Sequence, residues 1–135
     1  MQYWLMKSEP DAFSWDDLVK GGETIWDGVR NHRAANNLRA MKVGDQAFFY
    51  HSVKGKEIVG IMEVSVAGLT DPNDPEGKWT SVKVTPVRPL ERPVTLKEIK
   101  EDGSFAEFEL VRLSRLSVAV VKPAEWKAIC AMAKS

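Results

Sequence analysis

Three runs between residues 46 and 90 constrain the fold more than any other feature of the chain. "QAFFYHS", "EIVGIMEVSVAG" and "WTSVKVTPVRPL" are rich in β-branched and aromatic residues. They are separated by Lys54-Gly55-Lys56 and by the loop "DPNDPEGK". Connections this short lay consecutive strands side by side and antiparallel, so the centre of the chain is expected to be a meander whose first turn is a hairpin. Pro86 has no N–H to give to a ladder, which marks the third run as a bulged or edge strand.

The flanking sequence supplies short helices and further strands. Gln2 to Lys7 reads as a strand halted by Pro10, and Ser14 with Asp17 three positions on starts a helix over residues 15–20 that Gly21-Gly22 stops. Ala34, Ala35, Leu38 and Met41 share one face of a helix over residues 31–40. Helical spacing recurs at residues 95–102 and 105–114. "LSVAVV" returns as a strand, and Pro123 opens a final helix over residues 124–133. No repeat or long linker interrupts the order, so residues 1–135 are expected to form one α+β domain. Its sheet is mostly antiparallel and able to curl into a small barrel.

Composition narrows the function. Hydrophobic residues make up 44% and charged residues 28% of the chain, which suits a folded domain. Nineteen Lys and Arg balance nineteen Asp and Glu, so any contact with nucleic acid has to come from a local patch. A single cysteine excludes an internal disulfide, and with two histidines it cannot close a zinc site without carboxylates. No structural metal and no cofactor are expected. Cys130 shares a helix face with Trp126, Ile129 and Ala133 and is read as a buried, inert thiol. The N-terminus is too short in apolar residues for a signal peptide, and no window reaches the ~20 apolar residues of a membrane span. A monomeric, soluble, cytoplasmic protein without a membrane partner is expected.

"TIWDGVRNHRAANNLRAM", residues 24–41, is the segment whose side chains suggest contact with a ligand. Trp26 has two readings: a packing residue behind a glycine-rich turn, or a flat face on which a base stacks for roughly 1–3 kcal/mol. Arg30, Asn31, Arg33, Asn36 and Arg39 then offer phosphate and base-edge contacts, or simply a solvated helix face. Arg112, Arg115 and Lys122 form a second basic run, read as a solvated face unless the fold sets it beside the first. Ser8 and Glu9 sit where the first strand leaves the sheet, either at a pocket rim or only in a turn. His51 and Ser52 are neighbours on a strand and face opposite ways, so they do not make a nucleophile and base pair. The chain has no G-x-S-x-G elbow, phosphate-binding glycine loop or dinucleotide fingerprint.

"WLMKSEP", "FS", "IWDGVRN", "AANNLRAMKVGDQAFFYHS", "IVGIMEV" and "WTSVKV", in that order, resemble the EVE domain family over nearly the whole chain. The resemblance implies a PUA-like pseudo-barrel with flanking short helices, related to the YTH domains that read a methylated adenine in RNA. It also implies a non-catalytic domain that takes a modified base into an aromatic-walled pocket. A modified cytosine in DNA, such as 5-methylcytosine, is the leading ligand, with a modified RNA base beside it. Carried onto this chain, the pocket would be formed by Lys7, Ser8 and Glu9, by Trp26, Asp27, Gly28, Val29, Arg30 and Asn31, and by Tyr50, His51 and Ser52. Arg33, Arg39 and Lys42 would touch the nucleic-acid backbone, and Tyr50 or Trp79 would be a second aromatic wall. After Asn31 the chain departs from the family pattern, with Ala35 where an arginine is common and Arg33 offset. The rival is a small enzyme acting on a nucleotide or other small molecule, with Glu9 and His51 as acid and base.

Overall fold

In the computed structural model, which describes residues 1–134, the central runs form the expected meander. β3 (Gln46–His51), β4 (Glu57–Thr70) and β5 (Thr80–Thr95) pair antiparallel in turn, with Phe48 opposite Ile61 and Val64 opposite Val84. β5 continues unbroken through Pro86, Pro89 and Pro93. Its second neighbour, β2 (Thr24–Trp26), covers only Val82 to Val84, and beyond them β5 has one open edge, where prolines are tolerated. The expected bulges are present as register shifts along the β4–β5 pairing.

β1 (Tyr3–Ser8) lies between β3 and β6 (Val118–Val121), antiparallel to β6 but parallel to β3. A parallel pair needs a long crossover, here supplied by α1 (Trp15–Gly21), β2 and α2 (His32–Ala40). The six strands run β2-β5-β4-β3-β1-β6 in an open sheet. α2 touches both β5 and β6, near the two ends of that order, so a helix stands where hydrogen bonds would close a barrel. Asn37 of α2 completes the join by donating from Nδ2 to the carbonyl of Val118, at 2.7 Å.

The core divides between the two faces of the sheet. Trp4, Met6 and Phe49 point to one face and pack with Trp15, Trp26, Ala34, Ala35 and Leu38. Leu5, Phe48 and Tyr50 point to the other, under α3 (Leu96–Asp102), α4 (Glu109–Arg112) and α5 (Pro123–Met132). There Trp126 stacks on Phe48 with ring centres 3.9 Å apart. Gly60 lets α1 approach, since a Cβ on it would lie 2.6 Å from the Trp15 ring.

One expected element shortens and one strand appears that was not expected. The helix expected over residues 105–114 shrinks to the four residues of α4, because Phe105 and Phe108 are both buried and Phe108 keeps an extended backbone at the helix entry. β2 has only three residues, too few to show a pattern in the sequence.

Candidate nucleic-acid interface

The parallel pairing of β1 and β3 brings their carboxyl ends together. Ser8 stands opposite His51, and the Ser52 N–H donates to the Ser8 carbonyl at 3.0 Å. "KSEP" and "YHS" thus meet at one end of the sheet. Alternation along a strand then sends their side chains to different faces. Lys7 and Tyr50, opposite each other in register, turn to one face; Ser8, Phe49 and His51 turn to the other. Two hollows result: of the residues the resemblance assigns to a single pocket, Lys7, Ser8, Trp26 and Asp27 line one and Lys7, Glu9, Tyr50 and Ser52 the other, while Gly28 to Asn31 and His51 line neither.

The first hollow, about 350 Å³, is lined by Ser8, Phe13, Ile25, Trp26 and Asp27, with Lys7 at its margin. Trp26 is 8% exposed and sets its ring edge-on against Phe49, centres 5.5 Å apart. It is therefore both a core residue and a wall. Phe13 leans on the same Phe49 ring at 6.4 Å. The Ser8 hydroxyl donates to the Phe13 carbonyl at 2.6 Å, and the Phe13 N–H donates to the Glu9 carbonyl at 2.9 Å, so the turn after Pro10 curls back and holds Phe13 at the hollow. Neither Tyr50 nor Trp79 lines it.

The segment after Trp26 is strapped down by the loop "DPNDPEGK". Asp71 is 1% exposed; one of its carboxylate oxygens accepts from the Gly28 N–H at 2.7 Å and from Arg30 Nη1 at 2.8 Å. Its other oxygen accepts from the Asn73 N–H at 2.7 Å. Burial pushes the Asp71 carboxyl up, but the Arg30 guanidinium and these N–H donors together outweigh it and hold the group below the usual carboxylate range. Asn73 also donates to Asp27 at 2.8 Å. Arg30, expected at a phosphate, is thus an anchor, with its guanidinium 5.5 Å from the centre of the Trp79 ring. Val29 is buried in the core, and Asn31 caps α2 by accepting from the Ala34 N–H at 3.0 Å. Of residues 26–31, Trp26 and Asp27 line the hollow and the other four shape the loop that presents them.

His51 is occupied too. Its Nε2 accepts from the Trp15 N–H at 3.1 Å, at the start of α1, which requires a neutral ring with its proton on Nδ1. Burial lowers its pKa, while Glu57 and Asp16 pull the other way. Glu9 lines the second hollow, not the first, so Glu9 and His51 do not converge on a common space.

The second hollow, about 760 Å³, is lined by Lys7, Glu9, Tyr50 and Ser52 together with residues of the helical layer. Lys7 Nζ donates to the Ser114 carbonyl at 2.8 Å and lies 5.8 Å from the Tyr50 ring centre. Burial lowers the Lys7 pKa and pushes the Tyr50 phenol up to about 12.

Arg33, Arg39 and Lys42 do not form one track. Six residues apart on a helix, Arg33 and Arg39 point to different sides: Arg33 to Glu109 at 3.3 Å, Arg39 to Asn36 at 2.8 Å and the Lys78 carbonyl at 3.1 Å. Lys42 borders a separate hollow beside Trp4 and Asp45. The fold does set part of the second basic run beside the first, since Arg115 shares a hollow with Asn31 and Arg33, and Arg112 joins Arg33 around Glu109. Lys122 lies past Val121, at the Tyr3 end of β1 and far along the strand from Ser8.

Phe13 and Asp71 escaped the sequence reading. Phe13 belongs to the short "FS" of the family pattern, and Asp71-Pro-Asn73 has the composition of turns in which Asx side chains bind backbone N–H groups. Neither signal says what the side chain touches.

The EVE domain family profile matches residues 2–132. Thymocyte nuclear protein 1 of Rattus norvegicus is 37% identical over 164 aligned positions, spanning 96% of this chain and 73% of the relative. Among solved structures, Rpa0253 from Rhodopseudomonas palustris superposes with a TM-score of 0.95 at 46% identity, covering 99% of this chain and 94% of that one. Human THYN1 protein in complex with 5-methylcytosine containing DNA superposes with a TM-score of 0.91 at 32% identity, covering 100% and 99%. The architecture is the PUA-like α+β fold that the motifs imply, with its six-stranded sheet left open.

Proposed function

This chain belongs to the EVE domain family, and we propose that it binds nucleic acid by drawing a modified base, foremost a methylated cytosine in DNA, into the hollow beside Phe13 and Trp26, and that it catalyses no reaction. The observation that carries the reading is the likeness in fold, over the full length of both chains, to human THYN1 in complex with 5-methylcytosine containing DNA. The hollow supports it chemically. Its volume of about 350 Å³ falls at the small end of the ~300–1,000 Å³ typical of ligand pockets, as suits one base rather than a larger ligand. Unstacking a base costs a few kcal/mol, and stacking against an aromatic wall offsets part of that. The Asp27 carboxylate can accept from the exocyclic amine of cytosine, a group that thymine lacks. Ile25 and Ala12 give the lining apolar edges that a methyl group can touch.

The enzymatic alternative has less support, since the ring nitrogen of His51 is taken by Trp15 and Glu9 borders the other hollow. The test is fluorescence anisotropy with matched duplexes carrying cytosine or 5-methylcytosine at one position. The expected result is binding at least about tenfold tighter to the methylated duplex, a difference of about 1.4 kcal/mol. Equal affinity for the two would overturn the reading. A matched RNA pair with and without a modified base decides between the two nucleic acids.

A further inference from the structure

We infer that the second hollow is a phosphate-binding trough that carries the nucleotides flanking the captured base. The inference rests on the base-capture reading for the nature of its ligand, but on different residues. Lys7, Lys56, Lys100 and Arg115 border this hollow and Glu9 is the only acid among its lining residues, in a chain that is neutral overall. None of these charges is held by a carboxylate among the described residues: Lys56, Lys100 and Arg115 have none within ion-pair distance, so their charge is not neutralised by a neighbour inside the hollow. Lys7 holds its half-buried ammonium on a backbone carbonyl, not on a carboxylate. Unpaired cations converging on one concavity leave a local positive potential that a polyanion would neutralise.

The shape favours a strand over a lone ion. A neighbouring hollow of about 640 Å³ shares Lys56, Leu96 and Lys100 with this one and adds Glu101, which is paired with Lys97 at 3.9 Å, so the two run together as an elongated trough whose net charge stays positive. Its lining mixes the Tyr50 ring, Leu96 and Leu110 with the lysines, which suits sugars and base edges on the apolar part and phosphates at the cationic rim. The location follows from the alternation of β1. Ser8 and Lys7 are adjacent residues turned to opposite faces at the same end of the sheet, and Lys7 borders both hollows. A chain whose base enters the first hollow therefore has the trough within reach across the strand ends.

Salt-dependent binding tests this. The cytosine and 5-methylcytosine duplexes are titrated with the wild-type chain, with a Lys100→Ala, Arg115→Ala double variant, and with Phe13→Ala. Lys100 and Arg115 are exposed, so the double variant keeps the fold. It is expected to lose on the order of tenfold in affinity at about 50 mM salt, equally for both duplexes, and to lower the slope of log K against log salt by roughly 1.8, since each neutralised phosphate contributes about 0.9. Phe13→Ala is expected to lose the preference for the methylated duplex and to keep the slope. A double variant with wild-type affinity and slope would overturn the trough and leave base capture standing. A wild-type chain that binds both duplexes equally, with the double variant still impaired, would overturn base capture and keep the trough as a polyanion site. No binding to either duplex would overturn both.

Discussion

The ends of β1 and β3 carry two hollows that share a backbone and almost nothing else. On one face Ser8, Phe13, Trp26 and Asp27 surround a small space whose walls are braced, Trp26 by Phe49 and Asp27 by a loop pinned to a buried carboxylate. On the other, Lys7, Lys56, Lys100 and Arg115 surround a space about twice as large whose cations lack carboxylate partners. A rigid small site suits discrimination of one ring from another, because the cost of placing its groups is met at folding. An unpaired cationic site suits a charge that recurs along a chain and carries no sequence. One register step on a strand separates the residues proposed to read a base from those proposed to hold its backbone.

Substitutions that injure one face and spare the other separate the roles of the two hollows. Trp26→Ala should have the largest effect, costing about 3–5 kcal/mol of stability as a buried aromatic removed from the Phe49 cluster, together with any preference for a methylated base. Urea unfolding measures the first and anisotropy the second. A stable Trp26→Ala protein that still prefers the methylated duplex would dissolve the distinction between the two hollows. Asp71→Asn should come next. Losing a buried carboxylate that serves Arg30, Gly28 and Asn73 is expected to cost about 1.5–3 kcal/mol and to weaken binding of the methylated duplex while leaving the salt slope unchanged. Gly60→Ala should cost about 1–3 kcal/mol, because the new methyl meets the Trp15 ring and pushes α1 outward on the Trp26 face alone.

The smallest effect is a pH dependence through His51. Its folded pKa lies below 6.5, so the neutral ring that accepts from Trp15 stabilises the fold fully above about pH 6.5, and this contribution is lost as pH falls through the lowered folded value. Urea midpoints near pH 7.5 and pH 5 should therefore differ in the wild-type chain, and His51→Gln should remove the part due to this group. A stability profile identical in the two proteins would show that His51 does not cap α1 in solution.

Much of the architecture was legible because it rests on local rules. Ser14 and Asp17 form the capping box their spacing suggests, Gly22 turns left-handed where the helix stops, and the three β-rich runs pair as a meander. What stayed hidden depended on long-range pairing. Nothing in "QYWLMK" says that it will lie parallel to "QAFFYH", and that pairing alone unites Ser8 with His51. The separation of Tyr50 from Trp26 was within reach, since alternation along β3 puts Phe49 and Tyr50 on opposite faces, but it needed to be known which face the Trp26 loop would cover. Arg30 looked like a free hand for phosphate because its partner Asp71 lies 41 residues away in a loop with no apolar pattern. The Arg33, Arg39 and Lys42 charges seemed continuous in sequence and are scattered by the pitch of α2.

Base capture is tested most directly by an amide-shift titration by NMR with the cytosine and 5-methylcytosine duplexes at moderate salt. Base capture predicts saturable shifts at Ser8, Phe13, Trp26 and Asp27 that are large for the methylated duplex and weak for the other, with shifts along Lys56, Lys100 and Arg115 common to both. Shifts of equal size for the two duplexes, absent from Phe13 and Trp26, would contradict it.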